Sequence, residues 1–346
     1  MTAVVKAAPG PGVELRKIPV PKPRAGEVLV AVKAAGICGS DLHIFRWSPS
    51  YWWIAKYVPL VLGHEFCGEI VALGERVSSL SVGQRVLCKH IVPCGKCKDC
   101  RDGRPHMCLP CRSKALGLYR DGGFAEFAAV PEENCMPMPD SVSYKIAALT
   151  QPMLLAANSA DRAGLRIGDV AVIMGPGPIG LTVLVAAQAG GATQCVVVGM
   201  SGDESRLDLA KKLGASATFR ADVDDVGKTI AGITGGHGAD VVFEATGIPE
   251  TINEGIRMLK RGGKLVSIGI HGKPVSFDLT AFNRADLTLT GMHEGPITWE
   301  RAFSLVESNA GRLERLITHE FGFADALEAF EVAGSRGGGK VLLVAE

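Results

Sequence analysis

The chain has 346 residues, 37 of them basic and 36 acidic, a net charge of +1 and ten cysteines. This length supports two domains and a sizeable core, while a near-neutral balance excludes the broad basic field of a nucleic-acid or anionic-membrane binder. Ten thiols in a chain of this size are too sparse for a disulfide scaffold, and no secretory leader is evident, so a reducing cytoplasmic setting is expected.

The N-terminal part reads as β-rich. Short strand-like runs at 27–33, 69–73, 84–88 and 124–130 are punctuated by Gly and Pro. After the first run comes Gly36-Ile37-Cys38-Gly39-Ser40-Asp41-Leu42-His43, and Gly63-His64-Glu65 follows 26 residues after Cys38. One thiolate and one imidazole suit zinc, but two protein ligands do not fix it, and a third must come from elsewhere. Trp47, Tyr51, Trp52, Trp53 and Tyr57 cluster between these motifs, where they wall a substrate pocket, cover the core or meet another subunit. Next is Cys94-Gly-Lys-Cys97-Lys-Asp-Cys100-Arg-Asp-Gly-Arg-Pro-His-Met-Cys108, four thiols within fifteen residues. Four thiolates close a tetrahedral shell around Zn²⁺, and such closed all-cysteine shells are structural sites. Cys67, Cys88, Cys111, Cys135 and Cys195 read as small buried hydrophobes. Histidines 90, 106, 237, 271, 293 and 319 have no ligand-spaced partner.

From Gly168 the rhythm changes. Apolar runs at 170–174, 195–198, 217–219, 241–244, 265–270 and 287–290 alternate with helix candidates such as 204–213 and 249–259, the pattern of a doubly wound parallel sheet. The stretch 170–200 carries no charge, but its glycines and prolines make it a buried strand-helix-strand rather than a membrane span. Gly175-Pro176-Gly177-Pro178-Ile179-Gly180 follows the first of these strands and opens a helix. There the glycines permit a tight turn and let backbone approach a pyrophosphate at a helix N-terminus. Gly175, Gly177, Pro178, Ile179 and Gly180 are thus candidate cofactor contacts, with Ile268 and Ile270 at the end of the fifth strand.

An acidic residue usually ends the second strand and holds the ribose of NAD. It is absent at Gly199, Met200 and Ser201, and displaced to Asp203. Ser201 donating to a 2′-phosphate and Arg206 neutralising it predict use of both NAD and NADP, leaning to NADP. In the alternative, Asp203 caps the next helix and Arg206 lies on its surface.

Taken together and in order, these motifs resemble the medium-chain zinc-dependent alcohol dehydrogenases, most closely their threonine and polyol dehydrogenase branch. The matching text is Cys38-x-Ser40-Asp41-x-His43, then Gly63-His64-Glu65-x-x-Gly68 through Gly74 to Val77, the four-cysteine lobe and the dinucleotide fingerprint. The resemblance runs from about Gly26 to the C-terminus. It implies a GroES-like barrel at 1–153, to which 294–346 returns, and a dinucleotide-binding domain at 154–293. It implies a catalytic zinc on Cys38 and His64, and a proton relay through Ser40 and His43, with Asp41 orienting His64. The third ligand of such a zinc follows the motif acid-Pro or a cysteine, and here the text is Gln151-Pro152. Either the Gln151 carbonyl oxygen coordinates, or Gln151 is a loop residue and the zinc is lost or held by Glu65 instead. Two zinc ions per chain, NAD or NADP, a small alcohol substrate and a homodimer or homotetramer follow from the resemblance. It leaves open a zinc-independent NADPH reductase of the same fold and a non-enzymatic dinucleotide-binding protein.

Overall fold

A computed structural model describes residues 1–345. The chain forms two compact units, Met1–Gln151 with the C-terminal segment from Val306, and Pro152–Leu305. The return to the first unit begins later than residue 294. Side chains on the helix Thr150–Ala163 hold that intervening segment: Asn158 Oδ1 accepts the Ile297 N–H at 2.8 Å, and Arg162 donates to the Glu294 carbonyl at 3.3 Å.

The first unit is built on the strand Glu27–Gly36. Val28, Val30, Val32 and Ala34 alternate into the core, as a half-buried strand requires, and the last residues are buried on both faces. Antiparallel partners flank it: Phe66–Leu73 with Arg85–Cys88 and Cys135–Pro137 beyond, Phe127–Pro131, and Lys340–Val344 from the far end of the chain with Ile317–Gly322 outside it. Phe66, Phe124 and Phe330 fill its core. A small sheet pairs Thr2–Lys6 with Glu14–Lys17 and Leu60–Val61.

The second unit is a six-stranded parallel sheet in the order Ala217–Arg220, Gln194–Gly199, Val170–Met174, Ala239–Glu244, Leu259–Ser267 and Thr288–Gly291. The charge-free stretch resolves into the strand Val170–Met174, the helix Pro178–Ala189 and the strand Gln194–Gly199. Most of its side chains are buried because a parallel sheet is covered on both faces. The fifth strand ends at Ser267, short of the expected 270, because the N–H groups of Ile268 and Gly269 both turn onto the Glu244 carbonyl. Ile268 is buried past that end and Ile270 is half exposed. Among the described residues no helix is long and apolar enough to cross a membrane.

Candidate functional site

In the first unit the long strand delivers Cys38 to the start of the helix Gly39–Phe45. Asp41, fully buried in that helix, works in two directions: its Oδ2 accepts the Cys38 N–H at 2.9 Å, and its Oδ1 lies 3.6 Å from His64 Nδ1. His64 arrives on a turn that only glycine makes. Gly63 has φ +94°, and a side chain there would run into Phe124. The Sγ of Cys38, an imidazole nitrogen of His64 and a carboxylate oxygen of Glu65 all fall within 4.8 Å of one another. Burial lowers the pKa of His64, but Asp41 and Cys38 outweigh it and raise the pKa well above its ordinary value. Surroundings that favour a proton on this ring also favour a dication.

The two candidates for a third ligand differ in their partners. Glu65 and Lys340 form a fully buried ion pair. Gly36 makes room for it, since a Cβ there would press on both side chains. The Oε1 of Gln151 is buried without a hydrogen-bond partner. An amide oxygen left this way costs about 1–3 kcal/mol unless something satisfies it.

Ser40 Oγ lies 3.4 Å from His64 Nε2. His43 bonds through Nδ1 to Ser48 Oγ at 3.1 Å, and its pKa is lowered by burial and by Arg46. Tyr51 touches both: its ring stacks on His43 with centroids 5.3 Å apart, and its hydroxyl takes a hydrogen bond from Ser40. Burial, with the charges of Cys38 and Asp41, raises the Tyr51 pKa and keeps it protonated. The aromatic cluster therefore divides. Tyr51 is buried beside Ser40 and His43, Trp53 stacks on Tyr119 with Tyr57 edge-on, Lys6 sits over Trp47, and Trp52 is exposed. His90, unremarkable in the sequence, is buried with its ring edge-on to His64 at 5.7 Å.

The second cluster gathers Cys94, Cys97, Cys100 and Cys108, whose sulfurs lie within 4.8 Å of one another. Backbone amides point at the sulfurs: Cys94 N–H at Cys108 Sγ, 3.3 Å, and Cys97 N–H at Cys94 Sγ, 3.4 Å. Burial opposes ionisation of Cys108, but donors from Cys94 and Cys111 bring its pKa down to about 6. Burial and the neighbouring thiols push Cys100 the other way, up to about 12, so within this crowded set one sulfur ionises ahead of another.

In the second unit the three glycines are distinct in use. Gly175 has φ +99°, a Cβ at Gly180 would collide with the Gly175 carbonyl, and Gly177 faces open space at the N-cap of the helix Pro178–Ala189. This is a tight turn, a close helix-strand contact and an open helix N-terminus, the geometry that suits a phosphate. Ser201 and Arg206 lie on the loop after the second strand and on the helix that follows it. The N–H and hydroxyl of Ser201 are both held by Asp222, and Arg206 lies on the helix Glu204–Lys212. Asp203 stands at that helix's N-cap without capping it, and accepts the Met200 N–H instead. Sequence reasoning also missed Glu244, fully buried at the end of the fourth strand. Its Oε1 takes the N–H groups of Thr246 and Gly247, while its Oε2 faces His271 Nε2 at 3.2 Å.

Residues 24–140 match the alcohol dehydrogenase GroES-like domain, and residues 178–308 match the zinc-binding dehydrogenase domain. The L-threonine 3-dehydrogenase of Pyrococcus horikoshii is 36% identical over 353 residues, covering 99% of this chain and 98% of that protein. The chain belongs to the medium-chain zinc-dependent alcohol dehydrogenase family. Two solved members of this family superpose over almost the whole chain. The 2R,3R-butanediol dehydrogenase of Bacillus subtilis has a TM-score of 0.89 at 30% identity, covering 100% of this chain and 99% of that one. A zinc-binding dehydrogenase of Sinorhizobium meliloti bound to NADP has a TM-score of 0.88 at 30% identity, covering 99% and 98%. As a member of the family the chain is an NAD(P)-dependent alcohol dehydrogenase of the zinc type, with a GroES-like domain and a parallel-sheet dinucleotide domain. Both donor clusters suit zinc chemically: thiolate, imidazole and hard oxygen in one, four thiolates in the other.

Proposed function

We propose that this dehydrogenase interconverts the secondary alcohol of a small polyol, sugar or threonine-like hydroxy-amino acid with the corresponding ketone, using two zinc ions per chain. The observation that carries the reading is the Cys38–His64–Glu65 cluster, within 4.8 Å, together with the partnerless Gln151 oxygen. The relatives support the substrate class, since they are named for threonine and for butanediol.

In this reading Cys38, His64 and Gln151 hold the catalytic zinc, while Glu65 stays with Lys340. Zinc supplies a Lewis acid that draws electron density from the alcohol oxygen, and the nicotinamide supplies the hydride acceptor. The chain's own residues handle the proton. Ser40 accepts it from the alcohol, and His43 takes it onward, kept neutral and receptive by burial. Tyr51, in contact with both, holds that path in line. Asp41 fixes the His64 ring through Nδ1, leaving Nε2 for the metal. Gly175, Gly177 and Gly180 seat the pyrophosphate on the helix N-terminus, with Pro178, Ile179, Ile268 and Ile270 along the dinucleotide. A homodimer or homotetramer in a reducing cytoplasm completes the reading.

The deciding experiment assays threonine, sorbitol, xylitol, galactitol, glucose and butanediol, each with NAD and NADP, alongside zinc analysis. Two zincs and turnover of one of these alcohols are expected. One zinc would favour the zinc-independent reductase, and no turnover with any alcohol would favour a binding protein.

Two substitutions test the metal assignments. Gln151→Ala should weaken zinc binding at the catalytic site by about tenfold or more. Gln151→Glu should retain zinc but move the pH profile of kcat/KM upward, because an added negative charge makes the alcohol hold its proton more tightly. Unchanged zinc affinity and kinetics in Gln151→Ala would return the third position to Glu65. Cys97→Ala should release one zinc, lower the melting temperature and expose residues 94–108 to protease, since structural zinc contributes folding free energy. Retention of both zincs in this variant would reject the four-cysteine shell.

A further inference from the structure

The loop after the second strand of the dinucleotide unit has an unusual set of partners. Three successive N–H groups each donate to a different carboxylate. Met200 donates to Asp203 Oδ2 at 3.0 Å, Ser201 to Asp222 Oδ1 at 2.9 Å, and Gly202 to Glu204 at 3.0 and 3.2 Å. Successive N–H groups of this kind form an anion-binding concavity. Here the chain fills it with its own acids.

The position that normally carries the ribose-binding acid is Gly199, at the end of the strand Gln194–Gly199. A side chain there would press on Pro176 and on the Asp203 carboxylate. Asp203 itself is buried and turned back to Met200. Two exposed carboxylates stand on this loop, Glu204 from the helix that follows it and Asp222 from the next strand over. Ala217–Arg220 lies parallel to Gln194–Gly199 with Arg220 opposite Gly199, and the chain turns there to bring Asp222 onto Ser201. Hydrogen bonds from the Ser201 hydroxyl and N–H hold the Asp222 pKa below its ordinary value, so it is fully charged at neutral pH. Glu204 is likewise held low by backbone N–H donors. Arg220 lies 3.5 Å from Glu204.

We infer that Asp222, supported by Glu204, sets the cofactor preference of this enzyme and selects NAD over NADP. The inference rests on the dehydrogenase reading above and reverses the sequence's lean toward NADP. A 2′-phosphate at this loop meets two carboxylates and finds the N–H groups it needs already bonded. The neutral ribose hydroxyls of NAD donate to the same carboxylates.

The test measures dissociation constants of NADH and NADPH by fluorescence titration of the full-length enzyme, with 5′-AMP and 2′,5′-ADP as competing probes. Wild type should bind NADH at least about tenfold more tightly than NADPH, one like-charge contact at the surface being of that size. Asp222→Asn keeps an acceptor for Ser201 and removes the charge, and it should narrow the ratio by about tenfold. Glu204→Gln, on an exposed side chain, keeps an acceptor for Gly202 and should narrow it in the same direction, and 2′,5′-ADP should gain affinity in both variants. Equal binding of NADH and NADPH by wild type, or ratios unmoved in both variants, would overturn the inference while leaving the dehydrogenase reading intact. Binding of neither dinucleotide would overturn both.

Discussion

Cys38→Ala should lower kcat/KM for any alcohol by about a thousandfold or more while leaving the fold in place. Loss of a Lewis acid removes several kcal/mol of transition-state stabilisation, and each 1.4 kcal/mol is about tenfold in rate. The fold survives because what Cys38 gives the structure is mainly its backbone. Its N–H to Asp41 starts the helix Gly39–Phe45, and alanine keeps that bond. The side chain is only half-buried, so truncation opens little cavity. Metal analysis should fall from two zincs to one, with the four-cysteine lobe still filled. This differs from Cys97→Ala, where the loss falls on the lobe's stability. A Cys38→Ala protein that keeps a tenth of wild-type turnover, or one that melts as early as Cys97→Ala, would contradict the division between a chemical and a structural site.

The features legible in the sequence were those whose parts lie close along the chain or recur as a family's text. The four-cysteine shell spans fifteen residues, so spacing alone brings the sulfurs together. The glycine fingerprint is a single turn, and each glycine's demand is local. Cys38 and His64 are 26 residues apart, and the residues around them, not spacing, pointed to zinc. What escaped were pairings that only the tertiary fold makes. Ser201 meets Asp222 because two parallel strands run side by side, and the loop's own sequence shows only a missing acid. Glu244 meets His271 for a similar reason, each leaving an adjacent parallel strand. Tyr51 reads as one aromatic among five until a short 3₁₀ helix, Pro49–Lys56, turns it onto His43. Segment 294–305 carries no local mark of its unit, because the Asn158 and Arg162 side chains, more than a hundred residues earlier, decide it.

Lys340→Met should destabilise the chain by about 3–5 kcal/mol, the usual cost of leaving one member of a buried ion pair alone. Lys340 and Glu65 are both excluded from solvent, so water cannot replace the missing partner. Methionine matches the length of the lysine stem, so the loss reports charge more than volume. The double variant Glu65→Gln with Lys340→Met should recover most of the loss, because the uncompensated charge is then gone. Equilibrium urea denaturation of wild type, Glu65→Gln, Lys340→Met and the double variant gives the coupling directly. The pair also bears on the metal. Glu65 shares the 4.8 Å cluster with Cys38 and His64. Lys340 comes from the strand Lys340–Val344, which pairs with the strand leading to Cys38. While Lys340 neutralises Glu65, the carboxylate has no need of a metal, and the softer charge balance with Gln151 persists. Once Lys340 is gone, a dication is the nearest compensation for that carboxylate. Chelation should therefore destabilise Lys340→Met more than it destabilises wild type, and zinc should bind the variant more tightly. A Lys340→Met protein as stable as wild type, with and without chelator, would show that the ion pair does not hold Glu65 away from the site.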